Sequence, residues 1–124
     1  MRFSLDANSI IYLLSGAFPV LTARIADTDK GTVVISSIAF AEVALGSANG
    51  KPPPLELLNS FVEEIPIVDF DEAASRAYAT LPFKRGSFDR LIAAHALSLG
   101  LTVISRNTKD FADMPGLKVE NWTV

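Results

Sequence analysis

Apolar residues along this chain follow two alternating rhythms: short unbroken runs, and longer segments in which they return every three or four positions. The short runs read as strands. Arg2 to Leu5 is the first, Thr32 to Ser36 a β-branched second, Ile65 to Val68 a third, Leu101 to Ile104 a fourth, and Leu117 to Glu120 a short fifth. The segments between them carry helical periodicity. Asn8 to Ser15 places Ile10, Ile11, Leu13 and Leu14 in one stripe, and Pro19 opens a second helix reaching about Asp27. Ser37 is expected to cap a helix to Ser47, and Leu55 to Glu64 forms another. Asp71 caps a helix to about Thr80, and Ser87 or Phe88 begins one that stops at Gly100. Asn49 to Pro54 and Leu81 to Gly86 read as loops. Strand and helix alternating at this spacing mean an α/β chain with a parallel sheet. Unbroken apolar runs, instead of strict alternation, mean that both faces of that sheet are covered. Neither a repeat nor an interdomain linker interrupts the pattern, so residues 1–124 are expected to form a single domain.

In open α/β sheets ligands bind beyond the carboxyl ends of the strands, where the strand order reverses. Four polar residues fall on that rim. Asp6 follows the first strand, Asn107 lies just past the fourth, Glu42 stands early in the helix leaving the second, and Asp89 opens the helix entering the fourth. Each has a plainer explanation. Asp6 can cap a helix, Asp89 can face a helix dipole, Asn107 can turn a chain, and Asp110 can support a loop. Glu42 is harder to explain away, because Ile38, Ala39, Phe40, Ala41, Val43, Ala44 and Leu45 surround it. Three carboxylates on one rim repel one another unless a cation lies between them. Oxygen donors without cysteine suit Mg²⁺ or Mn²⁺ better than zinc. Such an ion acidifies a bound water for attack on phosphorus, so no protein nucleophile is needed.

Composition adjusts this picture in a few places. The chain has 124 residues, of which 49% are hydrophobic and 20% charged. Its mean hydropathy is +0.32. That balance suits a covered sheet or an apolar patch hidden in an oligomer. The absence of cysteine excludes disulfides and a thiolate zinc site, and suits a reducing cytoplasm. No apolar run approaches the ~20 residues of a membrane span. Asp6 interrupts the first apolar segment, so no signal peptide is expected. A net charge of −3 argues against non-specific wrapping of nucleic acid. Lys84, Arg85, Arg90, Arg106 and Lys109 nonetheless gather near the acids, where they suit a phosphate-bearing ligand or form an ordinary mixed-charge surface. His95 lies six positions after Asp89 on the same helix and points to another face, as a packed residue. Trp122 and Phe40, Phe61, Phe70, Phe83 and Phe111 read as packing. The chain has no glycine-rich phosphate loop, and Ser36-Ser37 lacks the setting of a nucleophile elbow.

Over essentially its whole length the chain resembles the PIN-domain family, in particular the VapC-type toxin ribonucleases of toxin–antitoxin pairs. The resemblance is carried by Leu5-Asp6-Ala7-Asn8, by Ser37 and Ala41-Glu42-Val43 with Gly46, and by Phe88-Asp89-Arg90-Leu91-Ile92-Ala93-Ala94-His95-Ala96-Leu97. Gly100 to Ile104 running into Asn107, Asp110 and Phe111 continues it, as does the ending Pro115 to Trp122. It implies a three-layer α/β/α sandwich with a parallel sheet of four or five strands and a Mg²⁺- or Mn²⁺-dependent endoribonuclease site. Asp6, Glu42 and Asp89 map onto metal ligands, and the fourth position, often aspartate, falls on Asn107. Ser37 and Asp110 are expected in support, with Asp110 restoring the missing charge if its loop curls back. Arg90, Arg106 and Lys109 are candidate phosphate contacts. The resemblance also implies an RNA substrate, a VapB-like antitoxin laid into the active-site groove, and a homodimer or larger toxin–antitoxin assembly. Ile11, Tyr12, Leu14, Phe18 and Leu21 are expected to supply part of the interaction surface. Asn107 keeps open a rival reading, a PIN fold that no longer cleaves and only binds RNA or protein.

Overall fold

The apolar runs pair side by side because neither face of these strands can meet water. In the computed structural model, which describes residues 1–85 and 87–124, β1 (Phe3–Leu5) lies between β2 (Val33–Ser36) and β4 (Thr102–Ile104). The edges are β3 (Ile67–Val68) and β5 (Val119–Glu120), giving a five-stranded sheet of order β3-β2-β1-β4-β5 in which every pairing is parallel. All residues of β1 and β2 are buried.

Side chains alternate between two cores. Phe3, Leu5, Val33 and Ile35 pack with Ile10 of α1 (Ala7–Ser15), Leu21 of α2 (Pro19–Ala26), Ala39 and Val43 of α3 (Ser37–Ala48), and Leu58 of α4 (Leu55–Glu64). Val34 and Val103 point the other way, against Ala93 and Ala96 of α6 (Phe88–Leu99) and against Phe111 and Met114. A shorter helix, α5 (Glu72–Tyr78), packs on α6. This is the expected α/β/α layering. Trp122 closes the first core edge-on to Phe3, with ring centroids 4.7 Å apart. Among the described residues, no single helix is long and apolar enough to cross a membrane.

Several boundaries shift for local reasons. The third strand begins at Ile67, not Ile65: Ile65 ends α4, and Pro66 has no N–H to give to a ladder. Its carbonyl still accepts from the Ile35 N–H at 3.0 Å. The cap of α3 is Ser36, whose Oγ accepts from the Ile38 N–H at 3.1 Å. Ser37 is already helical, because the strand enters the helix without a linking residue. Its hydroxyl instead accepts from the Phe70 N–H at 3.0 Å, which ties down the loop after β3. Gly100 ends α6 in the left-handed conformation at φ 68°, which favours glycine. The expected loop of residues 81–86 is irregular as far as Arg85, and Gly86 lies outside the described residues.

Candidate active site

The register of the central strands builds the rim. Leu5 pairs with Ile35 on one side and with Ile104 on the other, so the next position carries Asp6 between Ser36 and Ser105. Because β1 has β2 on one side and β4 on the other, this is where the strand order reverses. The Asp6 N–H donates to the Ile104 carbonyl at 3.1 Å, and the Asp6 carboxylate accepts from the Ser9 N–H at 2.8 Å. Asp6 therefore does cap α1. The Ser9 hydroxyl reaches back to the Ile104 carbonyl at 3.0 Å and staples α1 to β4. Asp6 is only 3% exposed, and that burial raises its pKa above the ordinary 3.8 despite opposing hydrogen bonds from Ser105 and Ser9.

Three more carboxylates belong to the same electrostatic unit. Glu42 sits on α3, half-buried, and burial followed by the charges of Asp89 and Asp6 pushes its pKa up to about 7. Its Oε1 is buried and has no hydrogen-bond partner among the described residues. Asp89, in the first turn of α6, is raised by burial and then by Asp6 and Asp110, with Lys84 pulling the other way. Asp110, in a 3-10 turn over Thr108–Phe111, acts on both Asp6 and Asp89. A cavity of about 320 Å³ is lined by Glu42, Asp89 and Asp110 together with Lys84, Arg85 and Phe88. Among the described residues, no group of three or more acidic or imidazole side chains is drawn tightly enough to form a finished coordination shell. The carboxylates are near enough to perturb one another without closing on one point.

Asn107 stands at the start of the 3-10 turn, exposed, and its N–H donates to the Ser105 Oγ at 3.0 Å. Its carbonyl accepts from the Asp110 N–H at 3.0 Å, and this bond folds Asp110 back toward the acids. Asn107 adds no charge; Asp110 does. Ser105 is a site-building residue that the sequence reading passed over. It is fully buried, its Oγ accepts from the Asn107 N–H in the turn that carries Asp110, and its hydroxyl acts to lower the pKa of Asp6. A hydroxyl immediately after a buried strand, level with Asp6, is the signal that could have found it.

The cations divide. Arg90 is 3% exposed and cannot serve as an open phosphate contact; its Nη2 donates to Asp113 at 2.7 Å. The reason is helical phase, since Arg90 lies three and four positions before the fully buried Ala93 and Ala94. Its Nε and Nη1 are buried and unpartnered among the described residues. Arg106 is exposed and lies over the Phe18 ring, 5.0 Å from its centroid, and Lys109 is exposed on the turn. Lys84 and Arg85, noted in the sequence only as part of a charge window, are the cations that line the acidic cavity.

His95 is buried as expected, and its Nδ1 lies 2.8 Å from the Ser36 Oγ. The histidine thus joins α6 to the cap of α3, the two helices that carry Asp89 and Glu42. Burial holds its pKa below 6.5. Of the phenylalanines expected to pack, Phe61 and Phe111 are buried, but Phe83 is 83% exposed. It lies in an irregular segment with no buried helical or strand face to turn it inward. Of the expected interaction surface, Leu21 belongs to the core, whereas Ile11, Tyr12, Leu14 and Phe18 are partly buried around it.

Comparison with known proteins agrees with this architecture. The chain is 29% identical to the tRNA(fMet)-specific endonuclease VapC of Shigella flexneri, with 99% of each chain covered. It is 32% identical to Ribonuclease VapC2 of Rickettsia felis, with 98% of each covered. Among solved structures it is similar to VapBC2 from Rickettsia felis bound to a DNA fragment from their promoter, with a TM-score of 0.87 and 28% identity. That alignment covers 98% of this chain and 99% of the other. A second is DNA-bound VapBC from Salmonella typhimurium, with a TM-score of 0.82, 27% identity and 98% of each chain covered. The PIN domain family model matches residues 4–117, a span that holds the reversed strand order and all four of the carboxylates gathered at its rim, and the chain belongs to the PIN domain family.

Proposed function

We propose that this chain is a metal-dependent endoribonuclease acting in the cytoplasm as the toxin of a toxin–antitoxin pair. The observation that carries the reading is the convergence of four carboxylates from four separate segments on one rim, where Asp6, Glu42 and Asp89 are each raised by burial and by charges among the set, Asp110 acting on Asp6 and Asp89. Gathering like charges in partly desolvated positions is costly, and a cation between them removes the cost. The donors are all oxygen, and the buried Glu42 Oε1 lacks a partner, which fits Mg²⁺ or Mn²⁺. Asp6, Glu42 and Asp89 would hold the ion, and Asp110 would take the place of the fourth acid that Asn107 does not supply. When bound, the ion supplies an acidified water and positive charge for the phosphoryl oxygens.

The protein's own groups do the positioning. Ser9 and Ser105 fix the Asp6 carboxylate, His95 braces the helices that carry Glu42 and Asp89, and Lys84 and Arg85 attract the phosphate backbone. The names of the relatives, two ribonucleases and two partners in VapBC complexes, support an RNA substrate and a protein antitoxin. A homodimer within a larger complex belongs to the same proposal. Asp110 weighs against the rival reading of a fold that only binds, since it supplies the charge that Asn107 lacks.

The test is cleavage of RNA with Mn²⁺, with chelator, and by Asp6→Asn. Products that need the metal and vanish in the variant support the assignment. Undiminished cleavage by Asp6→Asn, or in excess chelator, refutes it.

A further inference from the structure

Phe88 occupies an unusual position for an aromatic residue. It is the first residue of α6 and is 56% exposed, yet it lines the same cavity as Glu42, Asp89 and Asp110. Phe83, 83% exposed, stands one residue before the cations Lys84 and Arg85 of that cavity. Neither phenylalanine belongs to either hydrophobic core. We propose that Phe88, assisted by Phe83, Lys84 and Arg85, forms a subsite that stacks an unpaired base of single-stranded RNA beside the carboxylates.

This inference rests on the ribonuclease reading and deepens it by naming the side chain that would hold a base beside the carboxylates. An aromatic face next to cations is the combination that grips single strands, because every base has a face to stack and every nucleotide a phosphate to pair. The cores of protein–protein interfaces are instead depleted of charge. Here the ring shares its cavity with two cations and three acids. Lys84 is near enough to Asp89 and to Asp113 to act on both, which places positive charge beside the acids. Phe88 directly precedes Asp89, so a base held on its ring keeps the adjoining phosphate close to the acids. A base paired in a duplex cannot present its face in this way.

The experiment uses the full chain with Mn²⁺ and a single-stranded RNA oligonucleotide, its duplex, and versions made abasic at successive positions around the cut. Phe88→Ala should raise KM by about 5- to 150-fold, the range that loss of one stacked base implies. The effect on kcat should be much smaller, and Phe88→Tyr should restore KM. One abasic strand should lose the same factor with wild type and lose nothing further with Phe88→Ala. The Mn²⁺-induced rise in melting temperature, read in parallel, should be the same in Phe88→Ala as in wild type. If wild type cleaves RNA and Phe88→Ala matches its KM on every strand, the subsite is refuted and the ribonuclease reading stands. The subsite is equally refuted if Phe88→Ala instead changes only binding of a protein partner or the oligomeric mass. If wild type makes no cleavage products that Asp6→Asn abolishes, both readings fall.

Discussion

Asp6 performs two tasks that a pair of substitutions can separate. Its side chain caps α1 by accepting from the Ser9 N–H at 2.8 Å, and it adds negative charge to a site that already holds Glu42, Asp89 and Asp110. Asparagine is nearly as good a cap as aspartate, whereas alanine forfeits about 1 kcal/mol, within a range of roughly 0.5–2. For a chain of 124 residues that is a drop of about 3–6 °C in melting temperature. In metal-free buffer at pH 7, Asp6→Asn should melt no lower than wild type, because the lost charge was buried and opposed by its neighbours. Asp6→Ala should melt lower by the cap's worth. Saturating Mn²⁺, at about 100 times its Kd, should stabilise wild type by about 2.7 kcal/mol. It should do little for either variant, and both should lose RNA cleavage. Thermal melts with and without metal, paired with cleavage assays, read all of this. The reasoning fails if Asp6→Asn melts as low as Asp6→Ala, or if either variant cleaves like wild type.

Glu42, pushed up to about 7, makes metal binding compete with a proton. Mn²⁺ affinity measured by calorimetry should therefore rise with pH through about 7. The metal-free fold should behave oppositely: between the ordinary 4.5 and about 7 the folded state holds the extra proton, so this group's contribution to stability is lost as pH rises. His95 has the reverse sign. Its pKa is lowered, so the unfolded chain takes up the proton first and stability falls as pH drops below 6.5; His95→Gln should flatten that limb of a denaturation series. Asp113→Asn should lower the melting temperature, because the buried Arg90 loses its charged partner. Arg90→Met should cost less, since the freed Asp113 side chain is 60% exposed and meets water. Equal losses in the two variants would show that the cost does not come from leaving the buried Arg90 without its partner.

The layer order was legible because it depends on hydrophobic period, which is a local property. Unbroken runs such as Val33-Val34-Ile35 have no polar face and must be covered twice, which dictates a parallel sheet between helices. Once the sheet is parallel, Asp6 after the first strand and Asp89 at the head of the last long helix fall on one rim. Glu42 was legible for a related reason, since a carboxylate in so apolar a helix has little solvated face to occupy. Where strand meets helix, the pattern left a choice of one residue. Ser36 and Ser37 are equivalent as sequence, and only the extended backbone at Ser36 makes it the cap.

Other features depended on partners far along the chain. Arg90 reads as a cation beside an acid, but its direction is set by packing and by Asp113, 23 positions away. Asp110 joins the acids only because the Ser105 hydroxyl and the Asn107 carbonyl turn its segment back over the rim. Phe83 and Phe88 look like core residues by type, and their exposure follows from where the sheet and α6 leave room. Sequence alone determined which segments are strands and helices and which edge of the sheet collects acidic residues, because burial of apolar area follows the periodicity of each segment. Tertiary structure decided which charged and aromatic side chains face that edge, because a side chain's direction and pKa depend on neighbours that only folding brings together.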